Sequence, residues 1–198
     1  MRAMSIPNAS SASSVGRTRT TWQKTLLCAS LLLSLGTVGC QPSSFDLTLD
    51  LTEQRQNAQP AGAISTLLPT PFVFAVNLAD EAKIRGANPP RQVFLKDFSL
   101  VISSTTRPAG DVDTFDYVNT AEFFIEPTRV GSVLQKVKVA DIPAKEGPTG
   151  EMWPRLIANL NLLPLLTEGA QLTSTATGTT PGDDVSYAGK IVLAVDVF

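Results

Sequence analysis

Phe45-Asp46-Leu47-Thr48-Leu49-Asp50-Leu51-Thr52 places an apolar residue at every odd position and a polar one at every even position. Side chains of an extended strand point alternately to opposite faces, so this stretch reads as a strand with one buried face and one wet face. The same reading extends outward. Residues 72–78 are a short apolar run after Pro69 and Pro71, and residues 92–103 put Phe98, Leu100 and Ile102 on one face. Ala121, Phe123 and Ile125 alternate with Glu122, Phe124 and Glu126, as do Val133, Val137 and Val139 with Lys136 and Lys138. Residues 156–163, 171–178 and 185–198 complete the set, with Ile191, Leu193, Val195 and Val197 sharing a face in the last.

Turn chemistry separates these runs. Asn88-Pro89-Pro90, Arg107-Pro108-Ala109-Gly110 and Gly147-Pro148-Thr149-Gly150 mark breaks and loops. Thr180-Pro181-Gly182-Asp183 has Pro second and Gly third, as a type II turn requires. About eight strands with such punctuation predict an all-β fold, an antiparallel β-sandwich of Ig-like or jelly-roll type. One short helix is expected, over 64–68 or 80–85. Leu162-Leu163-Pro164-Leu165-Leu166 is the most apolar local run; it reads as a buried strand passing an edge bend, or else as an exposed ridge for a partner or lipid.

The start of the chain differs in kind. Arg2, Arg17, Arg19 and Lys24 are its only charges before residue 40, and an apolar run from Leu26 to Leu35 follows them. That run has the length of a signal-peptide core, roughly 7–15 residues, and is too short for a membrane-spanning helix of about 20. Arg17 and Arg19 are split by Thr18, which favours the general secretory route over the twin-arginine one. Thr37-Val38-Gly39-Cys40 resembles the lipobox of bacterial lipoproteins, in which a small residue precedes an invariant cysteine. Thr37 departs from the leucine usual at its position. The resemblance implies cleavage before Cys40 and fatty acylation of that cysteine, with palmitate-type chains. Gln41 in place of Asp resembles an outer-membrane sorting signal. The expected organisation is a helical signal peptide over 1–39, the lipidated Cys40 and a tether over 40–44, and the sandwich over 45–198.

Composition excludes much chemistry. The 198-residue chain contains no histidine, and its two cysteines are Cys28, inside the apolar run, and Cys40. Histidine triads, thiol catalysis and a thiolate zinc site are therefore ruled out for the mature chain. Losing the four leading cations would deepen the net charge from −2 to about −6, which disfavours nucleic acid as a partner. The stretch from Gly182 to Lys190 resembles a phosphate loop only superficially: its spacing is too long, and a hairpin entering a strand accounts for it. Glu122 and Glu126 share a strand face but stand roughly 13 Å apart, beyond the ~5–9.5 Å of a glycosidase pair. They are expected to be the solvated face. Asp111, Asp113 and Asp116 are a calcium candidate by oxygen content, although the spacing of an EF-hand is absent; a solvated loop is the preferred reading. Trp153, between Met152 and Pro154, is expected to pack over a core edge or to touch a partner.

These readings predict a non-enzymatic lipoprotein of the cell envelope. It would be held at the membrane by its anchor, need no cofactor, and bind or support another envelope protein. Two alternatives make different demands. A carrier of an apolar ligand needs a cavity between the sheets. A carboxylate-dependent hydrolase needs two acids from different strands in one cleft.

Overall fold

The computed structural model describes residues 42–58, 62–103, 112–145 and 147–198. In chain order the elements are β1 (Ser44–Gln56), β2 (Phe72–Val73), α1 (Leu78–Ile84), β3 (Gln92–Ile102), β4 (Val118–Pro127) and β5 (Val137–Ile142). After them come β6 (Glu151–Met152), β7 (Arg155–Leu156), α2 (Leu163–Glu168), β8 (Ala170–Gly178) and β9 (Val185–Asp196). They form two antiparallel sheets, ordered β1-β9-β3-β6 and β2-β8-β4-β5-β7. The first and last strands pair along their length, from Ser44 opposite Asp196 to Gln56 opposite Val185. In an Ig-like sandwich those two strands lie in different sheets. Here they are neighbours, and the chain crosses repeatedly between the sheets in two interlocked Greek keys. The sandwich is a jelly roll, with β7 as an added edge.

Bulges keep the inner faces apolar. In β1, Leu47 and Leu51 point inward at odd positions; the register then shifts between Leu51 and Gln54, and Gln54 is the next buried residue. Its amide is satisfied locally: Oε1 accepts the Thr70 amide at 3.1 Å and Nε2 donates to the Thr52 carbonyl at 3.0 Å. A second shift, between Leu95 and Asp97 in β3, moves the inward set from Val93 to Phe98, Leu100 and Ile102. Across the sandwich Phe98 meets Phe123 edge to face at 4.7 Å, both fully buried. Such a pair contributes about 0.5–1.5 kcal/mol beyond its apolar burial. Gly189, between Leu51 and Leu100 in the central strand, leaves room for both; a Cβ there would stand 2.8 Å from Leu100 Cδ2 and 2.9 Å from the Ser99 carbonyl oxygen.

Several sequence expectations are corrected. Residues 156–163 are not a strand: β7 ends at Leu156, Asn159 takes a left-handed conformation at φ 58°, and the apolar run opens α2. Pro164 sits in the first turn of that helix, where its missing N–H leaves no bond unmade. Leu162, Leu165 and Leu166 then fall on one buried face at helical spacing. Residues 64–68 are not helical, because β8 claims their backbone. Ser174 Oγ accepts the amides of Leu67 and Leu68 at 2.9 and 2.8 Å, and the Ala176 amide donates to the Ser65 carbonyl at 2.9 Å. The expected helix at 80–85 exists as α1. Of 72–78 only Phe72–Val73 is strand, and Val133 lies in a turn before β5. The short β6, after Gly150, was not foreseen. Gly182 is not left-handed, so no type II turn forms there; a bend leads into β9 as expected. The sandwich also begins earlier than residue 45, since β1 starts at Ser44 and the Val197 amide donates to the Ser43 carbonyl at 3.1 Å. Cys40, the signal segment, Asp111 and the 107–110 break lie outside the described residues.

Candidate functional site

The strand registers define two ends. The proximal end holds the start of β1, the start of β3 and the C-terminus: Ser44 and Gln92 both face Asp196. The β2–β3, β4–β5 and β7–β8 connections lie there too. α1 belongs to the first of these. Asn77 caps it, Oδ1 accepting the amides of Ala79 and Asp80 at 3.1 and 3.3 Å, and Leu78 and Ala82 are its buried face. Arg85, just past the helix, pairs with Glu81 and lies 4.6 Å over the Phe45 ring. Ile84, beside it, is 78% exposed.

α2 is fixed from both sides. Asn161 Oδ1 accepts the amides of Val93 and Leu163 at 3.0 and 3.1 Å, and the Leu162 amide donates to the Val93 carbonyl at 2.7 Å. Gly169, at φ 99°, ends the helix and accepts the Thr128 amide at 3.0 Å. Glu168 holds the adjoining β4–β5 loop through Ser132 Oγ at 2.9 Å and Arg129 at 3.7 Å. Leu134 packs on the core, yet Val130 and Val133 point into solvent, 98% and 87% exposed. Phe198, at the C-terminus, is 68% exposed. Between α1 and α2 lies a groove of about 400 Å³, lined mainly by Val76, Leu78, Pro89, Pro90, Leu163 and Leu166. It is largely apolar, and it lies against the two helices, not between the sheets where an apolar-ligand carrier would need its cavity.

The outer face of the second sheet carries the charged cluster. Glu122 and Glu126 face outward as expected, and both are ion-paired: Glu122 with Lys138 at 3.1 Å, Glu126 with Lys136 at 3.2 Å. Register brings in Asp141, directly opposite Glu122 on β5, which also bonds Lys138, at 3.3 Å. Arg155 grips Asp141 through Nε and Nη2, each at 2.9 Å. This network was not foreseen: Lys138 and Asp141 share β5, but Glu122 and Arg155 come from other strands, and only the β4–β5–β7 pairing unites them. Arg155, then Lys138, holds the Asp141 carboxyl below the usual carboxylate range, and its carboxylate partners raise the Lys138 ammonium. The Gln171 amide and Lys136 hold Glu126 down likewise. A catalytic pair needs one carboxyl pushed up and one kept ionised. Here the shifted carboxyls move the same way, as in a structural ion-pair network.

Of the calcium candidate, Asp111 lies outside the described residues. Asp113 is buried and Asp116 exposed, and among the described residues no group of three or more His, Cys, Asp and Glu is placed to hold a metal. Trp153 is 55% exposed, so it does not pack over the core; it stands where the chain crosses from β6 at one sheet's edge to β7 at the other's. Among the described residues no helix is long and apolar enough to cross a membrane.

No family model matches the chain, and no curated protein matches it. Among solved structures, a decameric BFDV capsid protein is similar at a TM-score of 0.35 and 13% identity, over 78% of this chain and 98% of that one. The same capsid protein as a 60-mer gives 0.30 and 12%, over 79% and 96%. At these scores the likeness carries nothing about activity or assembly, and the jelly-roll assignment rests on strand order alone.

Proposed function

We propose that the chain is a lipid-anchored lipoprotein of the bacterial envelope, whose jelly roll is a non-enzymatic binding or accessory domain. The observation that carries this reading is the apolar run from Leu26 to Leu35, closed by Thr37-Val38-Gly39-Cys40 only a few residues before the fold begins at Ser44. Diacylglyceryl and N-acyl chains together anchor stably, since each buried methylene contributes about 0.8 kcal/mol. The domain supports the reading in a second way. Its outer-face carboxylates Glu122, Glu126 and Asp141 are held in ion pairs with Lys138, Lys136 and Arg155. Gln41 places the anchor in the outer membrane on this reading. Replacing Cys40 by Ser tests it: the precursor should accumulate uncut and unacylated, visible as a shift on a gel of whole cells. Normal maturation of that variant would contradict the proposal.

A further inference from the structure

We infer that the proximal end of the jelly roll is a bilayer-docking face, so that the domain sits against the membrane that anchors it. The inference rests on the anchor reading and goes further, since a lipid anchor alone permits a domain held well away from the surface.

Chain length supplies the first argument. Ser43 is already hydrogen-bonded to Val197, so only Gln41 and Pro42 separate Cys40 from the fold. Fully extended, the three Cα–Cα steps from Cys40 to Ser43 reach about 10 Å. A leash that short holds the start of β1, and everything at its level, at the headgroups.

Side-chain placement supplies the second. Ile84, Val130, Val133 and Phe198, each at least 68% exposed, belong to the connections and terminus of this end. Among described residues the distal connections offer Val112, and the β6–β7 crossing, toward that end, offers Trp153 at 55% exposure. The residues outside the description after Pro42 (59–61, 104–111 and 146) include no large apolar type. Glu168 holds the side chains of Arg129 and Ser132, the residues next to Val130 and Val133, and so ties this loop to α2.

Charge decides the kind of surface. The ion pairs Lys96–Asp46, Arg85–Glu81, Arg129–Glu168 and Lys136–Glu126 cancel at this end. The face therefore suits a zwitterionic interface and needs no anionic lipid.

The test uses the mature lipoprotein in phosphatidylcholine vesicles, with Cys40 acylation read by mass. With Cys40 blocked by its thioether, Val130→Cys and Val112→Cys each give one labelling site for a polarity-sensitive dye. Both positions are exposed enough to accept the change without disturbing the fold. The Val130 label should be quenched at least threefold more by shallow spin-labelled lipid than the Val112 label. Acylated Cys40 with equal quenching at both positions would overturn docking and leave the anchor standing. An unmodified Cys40 would overturn both, because the short leash would be gone.

Discussion

The two ends of the jelly roll are made from the same kind of part, loops joining antiparallel strands, yet they differ in what they leave exposed. At the distal end Phe115, Tyr117, Val185 and Tyr187 are turned inward and polar groups face out. Arg55 pairs with Asp184, which also accepts the Ala58 amide at 2.8 Å, and Thr180 Oγ1 accepts the Gly62 amide at 3.2 Å. At the proximal end Asn77, Asn161, Glu168 and Ser132 tie the loops by hydrogen bonds, while isoleucine, valine and phenylalanine side chains face out beside them. Scattered exposed apolar residues are ordinary on any protein. Their concentration at the end nearest Cys40 is the asymmetry that the docking proposal explains.

Glycine substitutions should show the contrast most strongly. At the distal end a Cβ on Gly178 would stand 2.0 Å from the Tyr117 carbonyl oxygen, while the Thr179 amide donates to that same oxygen at 2.9 Å. Gly178→Ala should cost about 3 kcal/mol or more, read from a urea midpoint, because backbone must move. Gly131, in the proximal β4–β5 loop, has φ 80° and open space around it. Gly131→Ala should cost only about 1 kcal/mol, from the left-handed backbone alone. Equal losses would break the comparison.

The two distal tyrosines sharpen it. Tyr187 Oη donates to the Leu67 carbonyl, while the buried Tyr117 Oη has no partner among the described residues. Tyr187→Phe should cost about 1 kcal/mol and Tyr117→Phe should be neutral or slightly stabilising, by the same denaturant titration. Smaller still is the effect of Val130→Ser with Val133→Ser, below about 0.5 kcal/mol on stability. Quenching by membrane spin labels of a dye placed at Phe198→Cys should nonetheless fall in that variant.

Acid should act through the shifted carboxyls. Arg55 and the Ala58 amide hold Asp184 below the usual range at the distal end, as Arg155 holds Asp141 on the sheet face. A carboxyl lowered on folding stabilises the protein above its unfolded pKa, and that contribution is lost as pH falls through the lower folded value. The urea midpoint should therefore fall below about pH 4, and Asp141→Asn should flatten that fall. An unchanged acid profile in the variant would remove Asp141 from the account.

Much of this was legible in the sequence because half-buried strands announce themselves by alternation. β1, β3, β4, β8 and β9 were readable from residues such as Leu47, Phe98, Phe123, Leu172 and Leu193. α2 was misread because Leu162–Leu166 is apolar at almost every position, so the run carried no period to separate helix from strand; Pro164 near its start was the available cue. β6 and β7 are two residues each, too short for a pattern. The Glu122–Lys138–Asp141–Arg155 network depends on a register set by a bulge between Phe123 and Phe124, which no local spacing reports. The choice of jelly roll over Ig-like sandwich needed β1 beside β9, the longest sequence separation between paired strands in the fold.

The central claim, a jelly roll tied by its first residue to a membrane, is tested most directly at that residue. Intact mass of the protein extracted from its native membrane, with the N-terminal peptide sequenced by fragmentation, would read the modification without any substitution. The account predicts a mature chain beginning at Cys40 and carrying two or three acyl chains. A free amine elsewhere, with Cys40 unmodified, would contradict it and make the domain a secreted jelly roll without an anchor.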